Sequence, residues 1–261
     1  MKHLDVEALD TLPGKRILAG ERFAFRCHGG LSCFNLCCRN LDLYLYPYDV
    51  LRLCKALHLS SETFMERHTD VVMRKGEYFP EVLLRMAENE EKTCPFLTEA
   101  GCSVYMDRPD TCRTFPIEQG TILSPDGRVV EAVAFFRPPD FCMGQKEEKL
   151  WTLEAWAKDQ DAERHNRMTR EWGLVRSLFS KDPWGLEGFY GKKGKMAFMS
   201  VYHLDAFRAF LFESSFFKRY KVDPDLKRKI KRDDVALLRF GFDWIRHSVW
   251  GMAVTSMRPR K

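Results

Sequence analysis

Residues 27–38 read Cys27-His-Gly-Gly-Leu-Ser-Cys33-Phe-Asn-Leu-Cys37-Cys38, a spacing of C-x5-C-x3-C-C. The adjacent pair constrains what the segment can do. Neighbouring side chains point to opposite faces of a strand, or about 100° apart on a helix. Cys37 and Cys38 therefore do not readily ligate one mononuclear metal together; they suit two neighbouring sites or a polynuclear centre. Downstream, Cys94-x7-Cys102-x9-Cys112 forms a second group, and Cys142 follows a hairpin signal. Soft thiolates bind zinc, copper(I) and iron–sulfur clusters. Four of them close a structural zinc site or hold a [2Fe–2S] or [4Fe–4S] cluster, so eight could complete two four-ligand sites.

The full count is nine cysteines, an odd number that disulfides alone could not use. No secretory signal is visible at the N-terminus and no apolar stretch approaches the roughly 18 residues of a membrane helix. A cytosolic protein without a membrane span is expected, and in that reducing compartment thiols read first as metal ligands or reactive groups. The ninth, Cys54, falls in a helical pattern with Val50, Leu53 and Leu57, and is expected in a core rather than at the metal.

The chain changes character near residue 145. All nine Cys lie before 143 and all six Trp after 150. Residues 1–143 hold 17 Lys+Arg against 21 Asp+Glu, a net of −4; residues 144–261 hold 25 against 16, a net of +9. The expected organisation is α+β: a small mixed cysteine-rich N-terminal part organised by metal, residues 1–145, followed by a mainly helical C-terminal domain or extension, 146–261. In the first part, Leu41, Leu43 and Leu45 alternate with polar or tyrosyl neighbours, which predicts a strand ended by Pro47. Asp49–Leu57 predicts a helix, and Ser60 or Ser61 a cap for a second. Short β runs follow between Val71 and Leu84. Thr121–Leu123 and Val129–Phe136 flank Ser-Pro-Asp-Gly and predict a hairpin. In the second part Met168, Trp172, Val175 and Phe179 follow a helical stripe, as do Leu204, Phe207 and Leu211. Asp223-Pro224 predicts the start of one long helix running through Leu237, Trp244 and Val249. The Trp side chains are expected to be largely buried.

Several ordered segments carry a family resemblance: Phe25-x-Cys27, Cys33-Phe-Asn-x-Cys37-Cys38, Leu45-Tyr-Pro-Tyr-Asp-Val-Leu-Arg-Leu53, Cys94-Pro-Phe-Leu97, Cys102-x-Val-Tyr105, Arg108-Pro-x-x-Cys112-Arg-x-Phe-Pro116 and Cys142. Over about residues 23–143 the chain resembles the YkgJ-type cysteine cluster proteins, the family also called CxxCxxCC and described as zinc- or iron-chelating. The first block departs from that name, with C-x5-C-x3-C-C in place of C-x2-C-x2-C-C. The resemblance implies zinc or iron, including a [4Fe–4S] cluster, held by Cys27, Cys33, Cys37, Cys38, Cys94, Cys102, Cys112 and Cys142. Some relatives are protein lysine N-methylases that depend on an iron–sulfur cluster, so the resemblance also implies a protein-modifying enzyme as an alternative. A zinc-stabilised nucleic-acid or protein adaptor is a third class.

Arg108 and Arg113 flank Cys112. Four thiolates around Zn²⁺ leave a net charge of −2, which nearby guanidinium groups would offset while donating to sulfur. His28 could replace a thiolate but reads better as a solvated or structural side chain. The basic run from Lys218 to Arg232 is interrupted by Asp223 and Asp225, so a solvated helix face is expected in place of a nucleic-acid contact. A protein partner is compatible with the helical part. The chain has no G-x-G-x-x-G, no complete C-x3-C-x2-C, no ferredoxin C-x2-C-x2-C, and no Ser/His/Asp or paired-carboxylate spacing, so the pattern identifies no catalytic residue.

Overall fold

The structure, a computed structural model, describes residues 2–3, 12–124 and 129–260. Among these the α-helices are α1 (Pro47–Leu57), α2 (Ser61–His68), α3 (Asp110–Thr114), α4 (Leu153–Asp159), α5 (Glu163–Arg176), α6 (Lys192–Tyr202), α7 (Leu204–Glu213), α8 (Phe216–Arg219), α9 (Pro224–Arg232) and α10 (Asp234–Ser248). The architecture is mixed α+β, with small sheets in the cysteine-rich region and mainly helices after it. By its internal contacts the chain divides into Met1–Tyr44 with Leu84–Ser177, and Leu45–Leu83 with Leu178–Lys261. This partition differs from the change of composition near 145.

The first unit is built on the hairpin of strands Ile117–Leu123 and Val129–Phe136, which carries Lys15–Arg16 antiparallel on one edge and Lys2–His3 parallel on the other. The turn of the predicted hairpin, 125–128, lies outside the described residues. Ile117 stands opposite Phe136, and successive residues of the second strand serve opposite faces. Ala134 and Phe136 join Ile17, Phe23, Phe25, Ile117, Cys142 and Trp156 in one apolar cluster, while Val133 and Phe135 pack with Ile122 and Leu12. A second antiparallel pair, Phe23–Ala24 with Leu150–Trp151, ties the start of the cysteine segment to the chain beyond Cys142. The indoles in this cluster keep their donors satisfied. Trp151 Nε1–H donates to Phe25 O at 2.8 Å and Trp156 Nε1–H to Thr114 O at 3.0 Å.

The second unit is helical. Ser60 caps α2, its side chain accepting from Thr63 N–H, and Pro47 occupies the first turn of α1. Helix α10 buries Leu237, Leu238, Phe240, Phe242, Trp244 and Ile245. It crosses α6 so closely that a Cβ on Gly241 would stand 2.1 Å from Ser200 O. Backbone on both sides of that contact leaves nothing flexible to move aside. Gly241→Ala is therefore expected to destabilise the unit by about 1–3 kcal/mol, as overpacking does. Urea unfolding checks this, and an unchanged midpoint would contradict the backbone contact.

The stripes Met168/Trp172/Val175 and Leu204/Phe207/Leu211 are buried, as the periodicity predicts. Four Trp are buried and the other two, Trp151 and Trp250, are half-buried. Two expectations need correction. The single long helix from Asp223 is two helices, because Asp233 is extended and its carboxylate accepts from Val235 and Ala236 N–H, restarting the helix. The segment 41–46 keeps the alternation, with Leu43 and Leu45 buried, but is no continuous strand. It makes isolated ladder bonds instead, Leu45 N–H to Val82 O and Leu84 N–H to Leu43 O.

Candidate metal centre

All eight candidate ligands belong to the first unit, and Cys54 belongs to the second. Backbone pairing brings the first group together. Phe25 N–H donates to Lys149 O at 2.8 Å and Arg26 N–H to Gly144 O at 3.1 Å, which sets Cys27 beside the Cys142–Gly144 segment. Gly144 is required there, since a Cβ would lie 2.8 Å from both Arg26 O and the Phe25 ring. From Cys27 the chain turns through successive short bonds, among them Leu36 N–H to Cys33 O, into a 3-10 turn at Leu36–Cys38. Asn35 takes a positive φ of 65°, a conformation Asn tolerates better than most residues. Met143 N–H then donates to Cys33 Sγ at 3.1 Å, across 110 residues of chain. Cys27, Cys33, Cys37 and Cys142 consequently lie within electrostatic reach of one another.

A second neighbourhood starts at the adjacent residue. Cys94 N–H donates to Cys38 O at 2.8 Å, and Asn40 N–H to Lys92 O at 2.9 Å, so Cys38–Asn40 runs beside Lys92–Cys94. The Cys94-Pro-Phe-Leu97 turn closes through Leu97 N–H to Cys94 O. Leu97–Thr98 then pairs with Gly101–Cys102, placing Leu97 opposite Cys102, and Cys94 and Cys102 interact electrostatically. Cys112 sits on α3 and is exposed.

Burial pushes the Cys27 thiol up to about 11, with Cys37, Cys142 and Cys33 adding to the shift. Cys37 is raised most by its hydrogen bond with Cys38, then by burial. Burial also raises Cys94, Cys102 and Cys142. Thiols with such shifts stay protonated at neutral pH unless a cation supplies the opposing charge, which is the change a thiolate-bound metal makes. Among the described residues no group of three or more His, Cys, Asp or Glu is drawn into a geometry that could hold a metal ion as it stands. The thiols are thus gathered at electrostatic range, short of ligating range. Their chemistry fits a soft or borderline metal: they are sulfur donors, several in number, and partly withdrawn from water.

The flanking arginines divide in role. Arg108 lowers the Cys102 pKa electrostatically, though burial outweighs it. Its guanidinium donates to Tyr105 O and Gln160 Oε1 and lies over the Tyr105 ring. Arg113 is 1% exposed and donates to Gln160 O and Met106 O, bracing the loop between Cys102 and Cys112. His28 accepts from Gly30 N–H through Nδ1 and faces Glu147 through Nε2, as a structural side chain does. The residues that sequence reasoning did not single out are Met143, which acts through its backbone N–H, and Gln160, which fixes both arginines. A backbone donor leaves no residue-type signal to find.

Cys54 is buried on α1 and lines a cavity of about 290 Å³. Burial and the Asp205 carboxylate push its thiol up to about 12. Between the ordinary value of 9.0 and about 12, the unfolded chain gives up a proton that the folded chain keeps, so stability falls as pH rises through that window. Cys54→Ser is expected to leave metal content unchanged and to flatten this alkaline loss, read from denaturation midpoints at pH 8 to 10. Loss of metal in this variant would contradict its place outside the centre.

No curated protein and no solved structure matches the chain significantly. Residues 26–149 match the model of the CxxCxxCC family, described as a "Putative zinc- or iron-chelating domain". That span begins just before Cys27, ends just after Cys142 and contains all eight candidate cysteines, so the cysteine-rich region is similar to CxxCxxCC domains.

Proposed function

We propose that the eight cysteines form two thiolate groups, Cys27, Cys33, Cys37 and Cys142 in one and Cys38, Cys94, Cys102 and Cys112 in the other, and that each holds zinc or iron. The observation that carries this reading is the backbone pairing that sets Cys27 and Cys33 beside Cys142 from the other end of the domain, through Arg26 N–H to Gly144 O and Met143 N–H to the Cys33 sulfur. The Cys38 carbonyl accepts from Cys94 N–H while its thiol shares a hydrogen bond with Cys37, which supports reading the adjacent pair as the junction of two neighbouring sites. Bound there, zinc would cross-link the segments, and an iron–sulfur cluster would add a one-electron couple. Arg108 would offset part of the excess negative charge of the second group. A reducing, cytosolic setting suits thiolate ligation, and the mainly helical unit is the part available to a protein partner.

Anaerobically purified protein tests the reading by elemental analysis and by its spectrum. Absorption near roughly 400 nm marks iron–sulfur, and a colourless protein with stoichiometric zinc marks the mononuclear alternative. Cys37→Ser and Cys38→Ser are each expected to lose about half of the metal, and the double variant all of it. A parent without zinc or iron would overturn the metal assignment. Complete loss in one single variant with none in the other would overturn the division into two groups.

A further inference from the structure

We propose that the helical unit binds a small aliphatic amine in the cavity lined by α1, α6 and α7, with the alkyl chain against Leu51, Cys54 and Leu204 and the ammonium at Asp205. The cavity measures about 290 Å³, and every residue that lines it belongs to 45–83 or 178–261, so the site is independent of the cysteine-rich unit and of the metal reading. It forms where two chain corners meet. Helix α1 ends at His58, whose positive φ of 53° turns the chain toward α2, and α6 passes into α7 through the single residue His203. Val50, Leu51 and Cys54 line the cavity from α1, where residues three and four apart share a helix face. Val201 and Leu204 line it from the second corner. All five side chains are buried.

The two carboxylates that line the cavity differ in how they are matched. Asp234 has cations of its own: Lys55 Nζ, which also lines the cavity, stands 2.7 Å from Oδ2, and Arg208 pairs with Oδ1. Asp205 is held by neutral donors. Ser61 N–H at 2.8 Å and Ser61 Oγ–H at 2.9 Å both donate to Oδ2, and among the described residues no cation pairs with it. His203 lies within its electrostatic reach, but burial lowers the His203 pKa against the pull of Glu62 and Asp205, so the ring is neutral at neutral pH. His58 lines the rim and is exposed. Burial, with Asp205 adding to it, pushes the Cys54 thiol up to about 12, so that wall is neutral as well. Aliphatic walls, a neutral thiol and one carboxylate without a counter-cation select a cation with an aliphatic body. An anion would meet the Asp205 charge unshielded, and a neutral alcohol would bury its chain without gaining the ion pair. Asp205 is itself exposed, so the ammonium stays near water while the chain is buried, which keeps its desolvation small. At the roughly 30 Å³ that a water occupies in the liquid, the volume holds about ten non-hydrogen atoms, the size of a short alkyl amine.

The test titrates the full-length protein with hexylamine, hexanol and hexanoate by calorimetry and repeats the series on Asp205→Asn. The Asn amide oxygen can still accept from Ser61, so the variant removes the charge and keeps the contact. Hexylamine is expected to bind the parent about fivefold or more tightly than hexanol, with hexanoate weakest, as a charge-assisted contact at an exposed carboxylate allows. Asp205→Asn should bring hexylamine down to the level of hexanol and leave hexanol unchanged. A second measurement is made on the parent alone and does not depend on how the variant folds: nuclear Overhauser contacts from the hexylamine methylenes to the methyl groups of Leu51 and Leu204. No binding of hexylamine to the parent at millimolar concentration, or no contact at those methyls, overturns the site. Equal affinity of hexylamine for the parent and Asp205→Asn, or tighter binding of hexanoate, overturns Asp205 as the anchor and with it the choice of an amine.

Discussion

Cys142→Ser is expected to halve the metal content and to lower the stability of the cysteine-rich unit by several kcal/mol. Two losses combine. The site 142 side chain is 6% exposed and packed against Phe23, Phe25 and Trp156, where a serine hydroxyl brings a polar group into an apolar cluster. The larger loss is linkage. Metal that binds the folded chain and not the unfolded one adds its binding free energy to folding, and structural zinc sites in small domains supply apparent values of about 10–16 kcal/mol. The cysteine segments themselves run through turns and two-residue strands, so few ladder bonds hold those loops beside the hairpin and its apolar cluster. Closing those loops through metal also restricts the unfolded chain. The two losses separate by repeating the comparison after chelation. If Cys142→Ser lowers the melting temperature by the same amount in chelated and loaded protein, the effect is packing alone and Cys142 is not a ligand. Cys112→Ser should lose metal similarly but destabilise less, because its side chain is exposed and contributes little packing.

The candidate site was legible in the sequence to the extent that its chemistry resides in side-chain type. Eight thiols flanking turns and prolines point to metal, and the adjacent Cys37 and Cys38 point to two neighbouring sites or a polynuclear centre without any coordinates. The placement of Cys142 was not legible. It depends on Arg26 N–H reaching Gly144 O and on Met143 N–H reaching the Cys33 sulfur, both backbone contacts that leave no pattern of residue types. Nothing in the sequence marks Gly144, yet its missing Cβ is what lets the two segments touch. In the fold, the strong periodicities at Met168–Val175 and Leu204–Leu211 gave helices because one face of each is buried. The helix break at Asp233 was a local signal overlooked: an Asp followed by Asp at a helix start offers a cap and a favourable first-turn charge. The grouping of 45–83 with 178–261 is a long-range matter. Ser61 N–H and Oγ–H both donate to Asp205 Oδ2, and Tyr202 O–H donates to Leu45 O, across more than a hundred residues that periodicity does not see.

That same helical unit should respond most strongly at Phe216. Helix α8 has four residues and cannot hold itself by propagation of its own hydrogen bonds. Its anchor is the Phe216 ring, fully buried, with ring centroids of Tyr220, Phe217, Trp244, Phe210 and Phe240 between 4.9 and 6.0 Å away. Phe216→Ala removes that ring from a site whose neighbours come from α7, α8, α10 and the strand after α8, so partial collapse cannot refill the space. A loss of about 3–5 kcal/mol is expected, with Phe216→Leu losing less because most of the volume remains. Urea unfolding followed by Trp fluorescence reads this through Trp244, whose ring packs on the same side chain. Metal content per folded molecule should stay at the parent value, because all eight candidate ligands belong to the other unit. A change below about 1 kcal/mol would mean that the Phe216 ring is not enclosed, since deleting a buried aromatic from a packed core costs several times that. Loss of metal from molecules that remain folded would mean that the thiolate groups depend on the helical unit, and the two would then have to be treated as one cooperative system.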